Sequence, residues 1–162
     1  MESEHLAWQI ENRIQPGAPE KKITGTWNTI LSMFFPPTQG YMSNFNRTRA
    51  DGPLDVFIEH IETHAPQPRP FKFLYVQCTA SGNEDIDEVW EEKLLILSDQ
   101  LRQFNSKRVF GAIAVGRAVK FYEWNSEMGK AVSLEQNPSP LFIDRHCQTV
   151  ARHLEYIRNH HF

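Results

Sequence analysis

Cysteine is scarce, with only Cys78 and Cys147 in 162 residues. Two thiols suit reduced, buried side chains better than a disulfide framework. No apolar run reaches the roughly 20 residues that a membrane helix needs. Lys21 and Lys22 precede no apolar signal region. The expectation is an intracellular protein, cytoplasmic or nuclear, with no membrane partner. Charge of either sign is in small excess: the net value is -3, which advertises no general affinity for nucleic acid but leaves room for a local basic patch. The glycines build no phosphate-cradling loop, because Gly111 and Gly116 fall in or after a predicted strand with the wrong spacing. His60, His64, His146, His153, His160 and His161 show no zinc-ligand spacing with a matching pair. Neither serine nor cysteine sits in a nucleophile elbow. Internal repeats and low-complexity segments are also absent.

What is present is a core. Hydrophobic residues make up 40% of the chain, with 11 Phe, 4 Trp and 4 Tyr, enough for one domain. Residues 1–23 are polar and carry Pro16 and Pro19, so they read as a loose N-terminal arm in which residues 5–10 form an anchoring turn or short helix. Residues 24–162 read as the domain. Thr24 or Thr26 would cap a helix whose stripe is Trp27, Ile30, Leu31 and Phe34, ended by Pro36 and Pro37. Residues 41–49 suit a short helix or an extended crossing. Residues 54–61 and 71–79 read as two strands of a hairpin.

The second of these strands is the most β-prone stretch of the chain. Its period of two puts Phe73, Tyr75, Gln77 and Thr79 on one face, and Lys72, Leu74, Val76 and Cys78 on the other. A helix over 83–104 follows, with an inner stripe of Ile86, Val89, Trp90, Leu94, Leu97, Leu101 and Phe104. Residues 108–115 are apolar throughout and read as a buried strand. Residues 119–124 alternate and read as an exposed edge strand, open to a partner or a second copy. A short strand at 131–135 and a helix over 144–160 complete the chain. The fold class is therefore α/β (α+β), a mixed central sheet flanked by helices.

Chemistry concentrates on the hairpin. Asp55 lies on its first strand, after Pro53-Leu54; Gln77-Cys78-Thr79 closes its second. With the helix carrying Trp90-Glu91-Glu92-Lys93 and the strands at 108–116 and 119–124, this order resembles the PD-(D/E)xK, or restriction-endonuclease-like, nuclease superfamily. It is similar in particular to uncharacterised fungal members. The resemblance covers residues 24–160. It implies an acid on one strand and a (Glu/Asp/Gln)-x-Lys element on the next, holding Mg²⁺ for phosphodiester hydrolysis. In those places stand Asp55, a neutral Gln77, and Thr79 where a lysine belongs. Lys93, three to four residues from Val89, Trp90 and Leu97, would be the migrated cation.

Three functions follow as expectations. The first is a catalytically inactive nuclease-fold domain without a cofactor, acting on a protein partner or as a homodimer. The second is an Mg²⁺-dependent nuclease using Asp55, Gln77 and Lys93. The third is non-catalytic DNA or RNA binding through a rim of Arg47, Arg49, Arg69 and Arg117, with Lys107 and Arg108. Each residue also has a plainer role: Asp55 as a turn cap, Gln77 and Thr79 as a hydrogen-bonded pair, Lys93 as a snorkelling surface lysine, Trp27 and Trp90 as core, and the arginines as solvated surface.

Overall fold

The computed structural model describes residues 4–47, 54–62, 66–104, 106–136 and 139–162. The fold is α+β: a mixed seven-stranded sheet with helices on both faces. In chain order the elements are α1 (Glu4–Arg13), α2 (Glu20–Phe34), β1 (Tyr41–Arg47), β2 (Leu54–Glu62), β3 (Arg69–Thr79), α3 (Asp87–Arg102), β4 (Phe110–Val115), β5 (Ala118–Asn125), β6 (Lys130–Ser133), β7 (Leu141–Phe142) and α4 (Cys147–His160). The strands lie in the order β1-β2-β3-β4-β5-β6, with β7 also pairing β5. Only β3 and β4 run parallel, joined through α3; every other pair is antiparallel.

Each face of the sheet buries its own apolar cluster. On one, α1, α2 and α4 bring Ile14, Trp27, Ile30, Leu31, Val150 and Leu154 against Val56, Val76, Ala112 and Phe121. On the other, α3 brings Trp90, Leu97 and Leu101 against Tyr75, Ile113, Val115 and Tyr122. Gly111 lets α3 settle closely, since a Cβ there would come within 2.9 Å of a Leu97 methyl.

Several elements differ from the expectation. The short helix offered over residues 5–10 is α1 and runs on to Arg13, and the arm is tied down beyond it, with Ile10, Ile14 and Ala18 buried in the larger cluster. The next helix begins at Glu20, so Thr24 and Thr26 lie inside it rather than at its cap. Their hydroxyls bond back to Glu20 O and Lys22 O at 3.0 Å, the usual outlet for threonine within a helix. Residues 41–47 take the extended of the two forms expected there, as a strand. Ile86 lies before α3, exposed, and leaves the inner stripe. Asp144 does not cap the last helix, which starts at Cys147.

The largest difference concerns residues 119–124. They are not a sheet edge: β5 pairs β4 on one side and β6 and β7 on the other. Its polar alternation has another origin. The Lys120 ammonium lies 4.7 Å above the Trp90 ring, and Glu123 takes the Arg108 guanidinium at 2.7 Å and 3.0 Å. Charged side chains thus find partners over an interior strand.

A bulge changes one strand face. The β2–β3 register shifts between Ile58 and Glu59, so Leu74 faces Ile58 and Lys72 faces Glu59. Phe73 is the extra residue. It joins the α2–α4 cluster instead of sharing a face with Tyr75.

Candidate functional site

Beyond the bulge the alternation is regular. Val56 faces Val76 and Phe57 faces Tyr75, so Asp55 comes beside Gln77 one step further on. Asp55, Tyr75, Gln77 and Thr79 then share the face that α3 covers. Asp55 is 1% exposed, Gln77 1% and Thr79 9%: this is a buried polar row beneath a helix, not an open groove.

Both Asp55 oxygens are engaged. Tyr75 donates its hydroxyl to Oδ2 at 2.6 Å, and the Cys78 backbone N–H donates to Oδ1 at 2.9 Å. Tyr75 in turn accepts from Asn46 Nδ2 at 3.2 Å, which ties β1, β2 and β3 together. Among the described residues, Asp55 thus links two strands; the turn it was expected to cap lies outside them. Burial raises its carboxyl pKa from 3.8 to about 6, and the two hydrogen bonds and the charge of Lys93 only partly offset that rise. The same burial, then the Asp55 charge, push the Tyr75 hydroxyl and the Cys78 thiol well above their ordinary values.

Gln77 Oε1 and Thr79 Oγ1 are buried with no hydrogen-bond partner among the described residues. They do not satisfy one another. Lys93, half-buried on α3, is near enough to favour ionised Asp55. Asp55, Gln77 and Thr79 thus lie along one strand face, and the Lys93 charge acts on Asp55. Tyr75 belongs to the group and had no role in the sequence reading. Its signal was there: it lies two residues before Gln77, on the same strand face.

The mouth of the row is built by the loops after β3 and β4. Ser81 Oγ and the Gly82 N–H donate to the Glu84 carboxylate at 2.7 Å and 2.9 Å. Trp90 Nε1 donates to Glu84 O at 2.9 Å, making Trp90 a buried strut. Gly116 has φ +56°, and a Cβ there would fall 2.0 Å from Glu84 Oε1.

The donor set offers Mg²⁺ little charge. That ion takes one or two carboxylates in near-octahedral geometry. Here Asp55 is the one carboxylate of the row, each oxygen already accepting a hydrogen bond, and Gln77 and Thr79 add only neutral oxygens. Among the described residues, no group of three or more His, Cys, Asp or Glu converges on a metal-sized position.

Arg47 and Arg69 lie at opposite ends of the β2–β3 hairpin. Arg117 donates to Ile14 O at 2.9 Å and to Asp144 at 3.1 Å. Arg108 is held by Glu123 and, at 3.0 Å, by the Tyr156 hydroxyl. Arg69 stands opposite Glu62, at the other end of β3 from Gln77. Arg47 ends β1 opposite Leu54. Arg49 lies outside the described residues.

The raised Asp55 pKa has a measurable sign. The folded state holds this proton more tightly than the unfolded chain does. Its contribution is therefore fully present below pH 4 and is lost as pH rises through 6. Stability relative to the uncharged Asp55→Asn variant should fall by roughly 2 kcal/mol between pH 4 and pH 7. Urea denaturation of both proteins at each pH measures it; parallel pH profiles would refute the buried, high-pKa carboxyl.

No family model, curated protein or solved structure matches the chain.

Proposed function

We propose that this is a catalytically inactive domain of the PD-(D/E)xK type, which acts by binding a protein partner or a second copy of itself. The observation that carries the reading is the use of Asp55: its two oxygens hold the Tyr75 hydroxyl and the Cys78 N–H. A carboxylate that joins two strands has a structural use that needs no metal. The two neighbouring positions reinforce this, since Gln77 is neutral and Thr79 supplies no cation. The dispersal of the arginines and the net charge of -3 favour a protein over a nucleic acid as the thing bound.

A second reading keeps one supporting observation. Lys93 acts electrostatically on Asp55, as the cation of an active Mg²⁺-dependent nuclease would. The test is a cleavage assay on plasmid DNA and on RNA with Mg²⁺ and with Mn²⁺, wild type beside Asp55→Ala. The expected result is no cleavage above buffer by either protein. Cleavage by the wild type that disappears in Asp55→Ala would establish the nuclease instead.

A further inference from the structure

The two sides of the sheet end differently. One side closes with β6, four residues long and opening on Lys130, and with β7, two residues long. Short, charged strands are the ordinary protection of a sheet edge. The other side ends with β1, Tyr-Met-Ser-Asn-Phe-Asn-Arg, seven residues long. It contains no proline and no lysine, and its pairing with β2 runs through all seven residues without a bulge. Among the described residues, β1 pairs with β2 alone. Phe45 is 51% exposed and Met42 38%.

The register shows which backbone groups face outward. The Ile61 N–H donates to Gly40 O at 2.9 Å, so these opposed residues form a hydrogen-bonded pair. Such pairs alternate along an antiparallel ladder. Met42, Asn44 and Asn46 therefore bond inward, to β2. Tyr41, Ser43, Phe45 and Arg47 turn their N–H and C=O groups away from it.

We infer that β1 pairs antiparallel with β1 of a second copy, about a two-fold axis through Asn44, joining the two sheets into one. This names the partner for the binding role proposed above but rests on a different part of the molecule. The occupant follows from the strand's own symmetry. With Asn44 opposite Asn44 of the second copy, Ser43 faces Phe45 and Tyr41 faces Arg47. Ser43 and Phe45 of each strand then meet outward-facing residues across the axis, giving about four hydrogen bonds. The exposed Phe45 lies against a small serine, and Met42 against Asn46. No carboxylate lies on the strand, and its single charge, Arg47, is at the two far ends of the seam. A self-complementary patch of this kind makes a closed, isologous dimer.

The register supplies a discriminating variant. The Ser43 N–H points outward, so Ser43→Pro removes no bond to β2 while blocking the edge. Phe45→Lys places a charge on the same edge. Sedimentation equilibrium over roughly 1–500 μM should give wild-type protein at about twice the 18.9 kDa chain mass. Both variants should give the monomer mass with unchanged circular dichroism. Hydrogen exchange should find the Phe45 amide protected in wild type and fast in Ser43→Pro, with Met42, Asn44 and Asn46 protected in both. A wild type that stays monomeric throughout overturns the inference, as does a dimer that survives Ser43→Pro. Cleavage activity in a protein that dimerises this way would overturn the inactive-domain reading and leave this one standing.

Discussion

Replacing Asp55 with alanine lowers folding stability by about 3 kcal/mol at pH 5, and by less at pH 8. The loss comes from what the carboxyl holds. Tyr75 and the Cys78 N–H both donate to it in a site that is 1% exposed. Alanine leaves two buried donors without an acceptor, at about 1–3 kcal/mol each. In a domain of this size the melting temperature falls by roughly 10 °C. The pH dependence arises because Asp55 is held neutral up to about pH 6; above that the wild type carries a desolvated charge that alanine removes. A double-mutant cycle isolates the contact: Tyr75→Phe should cost about 1 kcal/mol more in wild type than beside Asp55→Ala, where only the bond from Asn46 remains to be lost. Metal ligands and catalytic acids commonly behave the other way, their removal stabilising the fold. An Asp55→Ala protein as stable as wild type at pH 5 would therefore remove the main support for an inactive site.

Much of that site could be read from the chain, and the reasons are specific. The period of two correctly grouped Tyr75, Gln77 and Thr79, and the parity of β2 set Asp55 against them, because side-chain direction in a regular strand depends only on counting. Phe73 broke the count. A bulge adds one residue to one strand, and nothing in Lys-Phe-Leu announces it. The bond from the Cys78 N–H to Asp55 was hidden for another reason: its donor is backbone, so no residue type signals it. β5 was misread because alternating polarity marks a half-solvated strand unless the charges find partners, as Lys120 does on Trp90 and Glu123 does with Arg108. The strands that cover β5, β6 and β7, are four and two residues long, too short to impose a pattern. The N-terminal helix was legible only over residues 5–10; Ile14 and Ala18, buried after α1 ends, lie among Pro16 and Pro19, which read as a loose arm. Both prolines lie outside α1 and α2, where their rings break no helical bond.

Trp27→Ala should be the most damaging single truncation, costing about 4 kcal/mol and roughly 12 °C in melting temperature. Trp27 is wholly buried on the inner face of α2. Its ring meets Phe121 of β5 edge-on, with centroids 6.4 Å apart and planes at 71°. Removing the indole opens a void between helix and sheet that the flanking Ile23, Ile30 and Leu31, all fully buried themselves, are too constrained to fill. Trp27→Phe tests a subtler point. The indole Nε1 is buried and has no acceptor among the described residues, a penalty of about 1–3 kcal/mol that phenylalanine avoids. That gain offsets much of the lost contact, so Trp27→Phe should stay within about 1 kcal/mol of wild type. Urea denaturation of the three proteins reads both values. A base-stacking tryptophan would give the opposite pattern, with Trp27→Ala leaving stability intact and weakening capture of single-stranded nucleic acid. Near-equal losses for alanine and phenylalanine would instead mean that the N–H is satisfied and that hydrogen bonding, not packing volume, anchors α2 to the sheet.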